Sequence, residues 1–193
     1  MDNLTTIILQ HEVQIRLSVF FGILVTMVIW EIIAPRLTLT LPRSQRWPAN
    51  LGIVVLNTVL VRLIFPMAPV GIAVLAASNG WGLFNGIEAP QVVVVIICVL
   101  ILDLAIYVQH VIFHKVPVLW RLHRMHHADT GYDVTTGARF HPIEILISIV
   151  IKMAIIIAIG APPEAVIIFE VLLNGTAMFN HGKIGRASCR ERV

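Results

Sequence analysis

Residues 91–114 read QVVVVIICVLILDLAIYVQHVIFH, a run with one charged residue, Asp103, and two histidines near its end. A helix of about 20 apolar residues, rising about 1.5 Å per residue, crosses a bilayer core. The run is therefore read as a membrane span whose last turns carry imidazoles. The rest of the chain has the same character: of its 193 residues, 58% are hydrophobic and 13% charged, where a soluble domain has about 25% charged. That composition excludes a soluble or a disordered chain. The expected fold is all-α, a polytopic membrane helical bundle of four to five membrane segments forming one domain over residues 1–182.

Working outward from residues 91–114, residues 15–34 supply an earlier span, closed by Pro35. The first ten residues carry a single charge, Asp2, and lack the basic start of a secretory signal, so this span is expected to stay in the mature protein. Arg36, Arg43 and Arg46 follow without an acid up to residue 47, which places that loop in the cytoplasm by the positive-inside rule. Residues 50–77 are apolar but interrupted by Arg62, Pro66 and Pro69, and read equally as one kinked crossing or a re-entrant pair of short helices. Residues 78–90 contain no Lys or Arg, as an outer loop should. Trp30, Trp47, Trp81 and Trp120 fall near span ends, where amphipathic rings favour the interface.

Beyond the histidines, residues 141–160 and 163–180 are two apolar segments joined by Ala161-Pro162, the pattern of a tight helical hairpin. Lys152 and Glu170 lie at matching depths on its two arms. An ionisable group at membrane depth is normally paired or functional, so the alternatives are an interhelical ion pair fixing the hairpin register and a water-filled cavity. Cys98 and Cys189 are the only cysteines and imply neither a disulfide framework nor a cysteine metal site.

Seven of the eight histidines lie between residues 110 and 181. His110 and His114 stand one helical turn apart on one face, and His123, His126 and His127 stand at i, i+3 and i+4. Two such boxes nine residues apart point to metal, and neutral imidazoles without nearby thiolates suit zinc, copper, iron or nickel. Asp103 and Tyr107 share the helical stripe of His110 and His114, so Asp103 either supports a ligand imidazole through its outer nitrogen or neutralises Arg62. His141 is read as a further ligand or as the cap before Pro142, His181 as a ligand, and His11 as a solvated residue.

Residues 103–144, DLAIYVQHVIFHKVPVLWRLHRMHHADTGYDVTTGARFHPIE, resemble the sterol desaturase / fatty acid hydroxylase superfamily, especially its bacterial branch. The resemblance extends from about Trp47 to Gly182. His110 and His114 match the family's first box, His123, His126 and His127 its second, and Asn180-His181 its later single histidine, while His141 falls in its R-F-H-P segment. The resemblance implies an integral membrane enzyme with two iron ions on the cytoplasmic side of a bacterial inner membrane. It also implies hydroxylation or desaturation of a sterol, acyl or isoprenoid lipid with dioxygen and NAD(P)H-derived electrons. These would arrive through a ferredoxin- or cytochrome b-type carrier protein and its reductase, with Lys115, Arg121 and Arg124 available for docking or serving only as topogenic charge.

The family also carries a third H-x-x-H-H box downstream of the position of His181, which does not occur here. Residues 184–193, IGRASCRERV, are similar to the conceptual translation of a short-read sequencing adapter. Residues 183–193 are accordingly expected to be a non-native tail, and the chain as written to be incomplete and inactive. Without the charges of residues 184–193, 11 basic residues face 10 acidic ones, and no nucleic-acid partner is expected. Two readings of other classes are a zinc-dependent membrane hydrolase, which lacks the H-E-x-x-H pattern here, and a bis-histidine haem electron-transfer protein, for which clustered histidines are an inefficient arrangement.

Overall fold

The computed structural model describes residues 11–34, 42–67, 69–128 and 133–181. Among them are seven α-helices and no strand: α1 (Glu12–Ile33), α2 (Arg43–Ile64), α3 (Pro69–Ser78), α4 (Gln91–Lys115), α5 (Pro117–His127), α6 (Pro142–Ile159) and α7 (Pro163–His181). Short 3-10 turns occupy Leu83–Gly86 and Thr136–Ala138. Four stretches are long and apolar enough to cross a membrane: Gln14–Ile33, Arg43–Gly86, Gln91–Lys115 and Pro142–Ile159. The chain is an all-α membrane bundle.

Residues 50–77 make one broken crossing. Asn57 of α2 donates to the backbone oxygen of Phe140, at the end of the bundle where α6 begins. Gly82, just past α3, packs on Gly160 at the opposite end, where α6 stops. Between these points the chain passes once through the bundle. Pro66 has no N–H to extend α2, and Pro69 suits the start of a new helix. The ten residues of α3 rise only about 15 Å, so α2 and α3 together make the crossing.

α7 is the bundle's inner helix, packed against α1, α3 and α4. Ala165, Val166, Ile167 and Phe169 of α7 join Val70 and Ala73 of α3, Val94, Cys98 and Leu102 of α4 and Ile156 of α6 in one core. Ala73 and Ala165 are fully buried; small side chains let helices approach where lipid offers no hydrophobic drive between them. α7 is less apolar than the four candidate spans; its buried Glu170 is held by Lys152 and Arg16, while Ile168 and Leu172 face outward, 43% and 51% exposed. Val92, Leu100 and Leu104 of α4, by contrast, are 70%, 63% and 60% exposed, an apolar surface suited to lipid.

Residues 160–162 reverse the chain between α6 and α7 as the sequence predicts, but the two arms are not packed tightly together: α3 lies against both. Gly160 closes α6 in the left-handed region (φ 66°), and a Cβ there would lie 2.7 Å from the Trp81 carbonyl oxygen. Lys152 Nζ donates to Glu170 Oε1 at 3.0 Å, so the ion pair is formed. Arg16 of α1 adds a partner, its guanidinium 2.8 Å from Glu170 Oε2.

At the histidine end, residues that read as topogenic or interfacial are knitted together. Arg43 pairs with Glu31 at 3.2 Å and Arg46 with Asp133 at 3.1 Å. The Trp47 indole N–H donates to Asp133, and the Asn50 amide to Thr135. Glu31 also accepts the backbone N–H of Val134. This buried network ties the end of α1 and the start of α2 to residues 133–138, and Gly137 lies so close to Ala177 of α7 that a Cβ would stand 2.9 Å from that residue's carbonyl oxygen.

Candidate metal centre

Helix α4 ends where Val116 turns extended (φ −92°, ψ 116°) and Pro117 starts α5. Proline cannot continue the α4 hydrogen-bond ladder but is suited to a first helical position. This one-residue hinge folds α5 back beside α4 and sets their histidine faces against each other. Gln109, bonded to Ser148 of α6, and buried Phe113 anchor the last turns of α4 in the core.

His110, His114, His123 and His127 each present one ring nitrogen to the others, all four within 4.8 Å. Nε2 of His110 faces Nε2 of His114 at 3.1 Å, and Nε2 of His127 faces that of His123 at 3.1 Å. Facing lone pairs need a proton or a cation between them. Two nitrogens sharing an ion at about 2.1 Å stand about 3.0 to 3.4 Å apart for angles between square and tetrahedral, so the donor set fits a metal. The half-buried Trp120 ring lies 5.2 Å from that of His114 and 5.7 Å from that of His127 and closes one side of the group.

Hydrogen bonds distinguish the histidines. His123 Nδ1 lies 2.6 Å from Glu144 Oε1; a carboxylate accepts, so this nitrogen carries the proton and Nε2 keeps its lone pair. His126 is buried and lies outside the group of four. Its Nδ1 donates to the Arg139 carbonyl at 3.2 Å, and its ring stacks on Phe140 at 4.3 Å. Its ring centre is 5.2 Å from that of His127, and Nε2 again keeps the lone pair.

The remaining sequence candidates sit elsewhere. His141 caps α6, its Nδ1 accepting the Ile143 N–H at 3.2 Å, and is not brought into the group. Asp103 and Tyr107 are exposed on α4, and among the described residues no ion pair joins Asp103 to Arg62. His181 is the last residue of α7, its side chain lying outside what the structure describes. The adapter-like stretch also lies outside the described residues. Lys115, Arg121 and Arg124 are exposed beside the group. Sequence reading missed Glu144 as the carboxylate behind a candidate ligand. Its only available signal was an acid in the first turn of the helix that follows the boxes.

The fatty acid hydroxylase family model matches residues 95–191. The match takes in the whole histidine group, Glu144 and the hairpin, and covers half of the chain. The chain belongs to the fatty acid hydroxylase family. The fatty acid hydroxylase match runs on through most of the adapter-like stretch. No curated protein and no solved structure matches the chain.

Proposed function

We propose that the protein is an integral membrane oxygenase that hydroxylates or desaturates a sterol, acyl or isoprenoid lipid at a centre of two iron ions, using dioxygen and NAD(P)H-derived electrons. The observation that carries this reading is the group of four imidazole nitrogens at one end of an apolar bundle, in a chain of this family. His110, His114, His123 and His127 would hold metal through ring nitrogens, with His126 and His181 as the candidates for further ligands. Iron, when bound, would supply the dioxygen activation and electron transfer that an unactivated C–H bond requires.

The protein's own part is placement. The 25 residues of α4 rise about 37 Å, more than the hydrocarbon core of about 30 Å, which favours a position for His110 and His114 at the headgroup boundary. A lipid chain can reach them along the apolar face of α4 while an electron carrier approaches from water. The basic residues around the group support a cytoplasmic position in a bacterial inner membrane. They also favour an acidic carrier of ferredoxin or cytochrome b type, with its reductase.

The test is metal content and oxygen source together. The protein purified in detergent should carry iron and show no haem absorbance. Membranes containing the protein expressed from its gene, read on past the codon for Gly182, should transfer label from ¹⁸O₂ to a lipid alcohol, or form an alkene only in the presence of dioxygen. Bound zinc with oxygen-independent turnover would overturn the proposal in favour of a hydrolase, and haem absorbance would overturn it in favour of electron transfer.

A further inference from the structure

The Glu144 carboxylate has little to compensate its burial. Its side chain is 5% exposed and that of its partner His123 is 1% exposed. Oε1 holds His123 Nδ1, while Oε2 is buried with no hydrogen-bond partner. Among the described residues no lysine or arginine pairs with Glu144. A carboxylate withdrawn from water this far requires positive charge close by. Among the described residues the path toward such charge runs through the imidazole: Nδ1 and Nε2 lie on opposite sides of the ring, and Nε2 of His123 faces the other three histidines.

The backbone holds this carboxylate in place. Pro142 opens α6 and the His141 ring caps it, which sets Glu144 in its first turn. His123 comes from α5, so the hydrogen bond spans two helices and ties the metal-bearing one to the bundle.

We infer that Glu144 is the positioning residue of this centre. It keeps the proton of His123 on Nδ1, aims Nε2 at the cation, and supplies part of the negative charge that the cation balances. This rests on the metal reading of the four histidines. Carboxylates in this place typically change metal affinity by about 10- to 100-fold.

Cobalt(II) is a suitable probe, titrated into the metal-free 193-residue chain in detergent and followed by its visible absorption. E144Q keeps the length and an acceptor but loses the charge, and should weaken cobalt binding about tenfold. E144L loses both and should approach a hundredfold. The unfolding midpoint of the metal-free Gln variant should stay at the wild-type value. Equal affinity in all three proteins would overturn the inference and leave the metal centre standing. A fall in affinity that tracks a fall in the metal-free midpoint would assign Glu144 to the fold and overturn it as well. A wild-type chain that takes up no cobalt would sink the metal reading itself, and this inference with it.

Discussion

His126 and His141 are both read from sequence as candidate ligands, and single hydrogen bonds separate them. A backbone carbonyl fixes the His126 proton on Nδ1 and leaves Nε2 its lone pair. The Ile143 N–H uses the Nδ1 lone pair of His141, so its proton belongs on Nε2 and metal binding there would require that proton to leave. Asparagine is a good helix cap but not an imidazole. The H141N variant should therefore keep both its thermal unfolding midpoint and its cobalt affinity, while H110A should lose most of the affinity. Loss of cobalt binding in H141N at an unchanged midpoint would make His141 a ligand after all. The grouped histidines were legible as two boxes because spacings of three and four residues are local features, whereas the separation of His126 from the other four was not. Glu144 was not, because 21 positions and a loop separate it from His123, and no local period connects them.

Helix packing at the Arg16, Lys152 and Glu170 cluster makes an asymmetric prediction. Two cations share one buried carboxylate. In E170Q both cations remain without it, and removing one partner of a buried pair typically costs about 3–5 kcal/mol. K152M leaves Arg16 beside Glu170 and replaces the lysine with an apolar chain of similar length, so it should cost much less. Thermal unfolding in detergent would rank the two, and K152M at or below the stability of E170Q would show that Arg16 does not balance Glu170. The Lys152–Glu170 pair was legible from equal distances to a turn, whereas Arg16 was not, since nothing local places α1 beside α7. At the hairpin turn, Gly82 adopts φ 93°, and a Cβ on it would fall 2.1 Å from the Gly160 nitrogen. G82A should therefore lower the unfolding midpoint sharply, while alanine at Gly86, with open space around it, should leave the midpoint nearly unchanged.

Across the whole molecule, the helices alternate between two ends. The end of α1, the start of α2, the end of α4, α5, the start of α6 and the end of α7 gather with the histidines. The turn after α3, the start of α4 and the hairpin loop gather opposite them, where Gln91 donates to Glu164. Hydropathy made the crossings legible, but not whether residues 50–77 cross or re-enter, because two prolines break the helix in either case. The hydrogen bond from Asn57 to Phe140 fixes one end of the stretch and the packing of Gly82 on Gly160 fixes the other, and the two together decide it. Nor could charge alone distinguish a free topogenic arginine from Arg46, which is buried against Asp133. A single broken crossing puts Ser44, at the start of α2, and Asn79, just past α3, on opposite sides of the membrane. Both are exposed, Cys98 is fully buried, and with Cys189 replaced by serine an impermeant maleimide would report on one introduced thiol at a time. In intact bacterial cells N79C should label and S44C should not, until the inner membrane is opened. Labelling of both from one side would mean that the chain turns back between α2 and α4, and the histidine group would then lie across the membrane from Ser44. Labelling of S44C alone would keep the broken crossing but invert the bundle, and an acidic carrier in the cytoplasm would then face the wrong end.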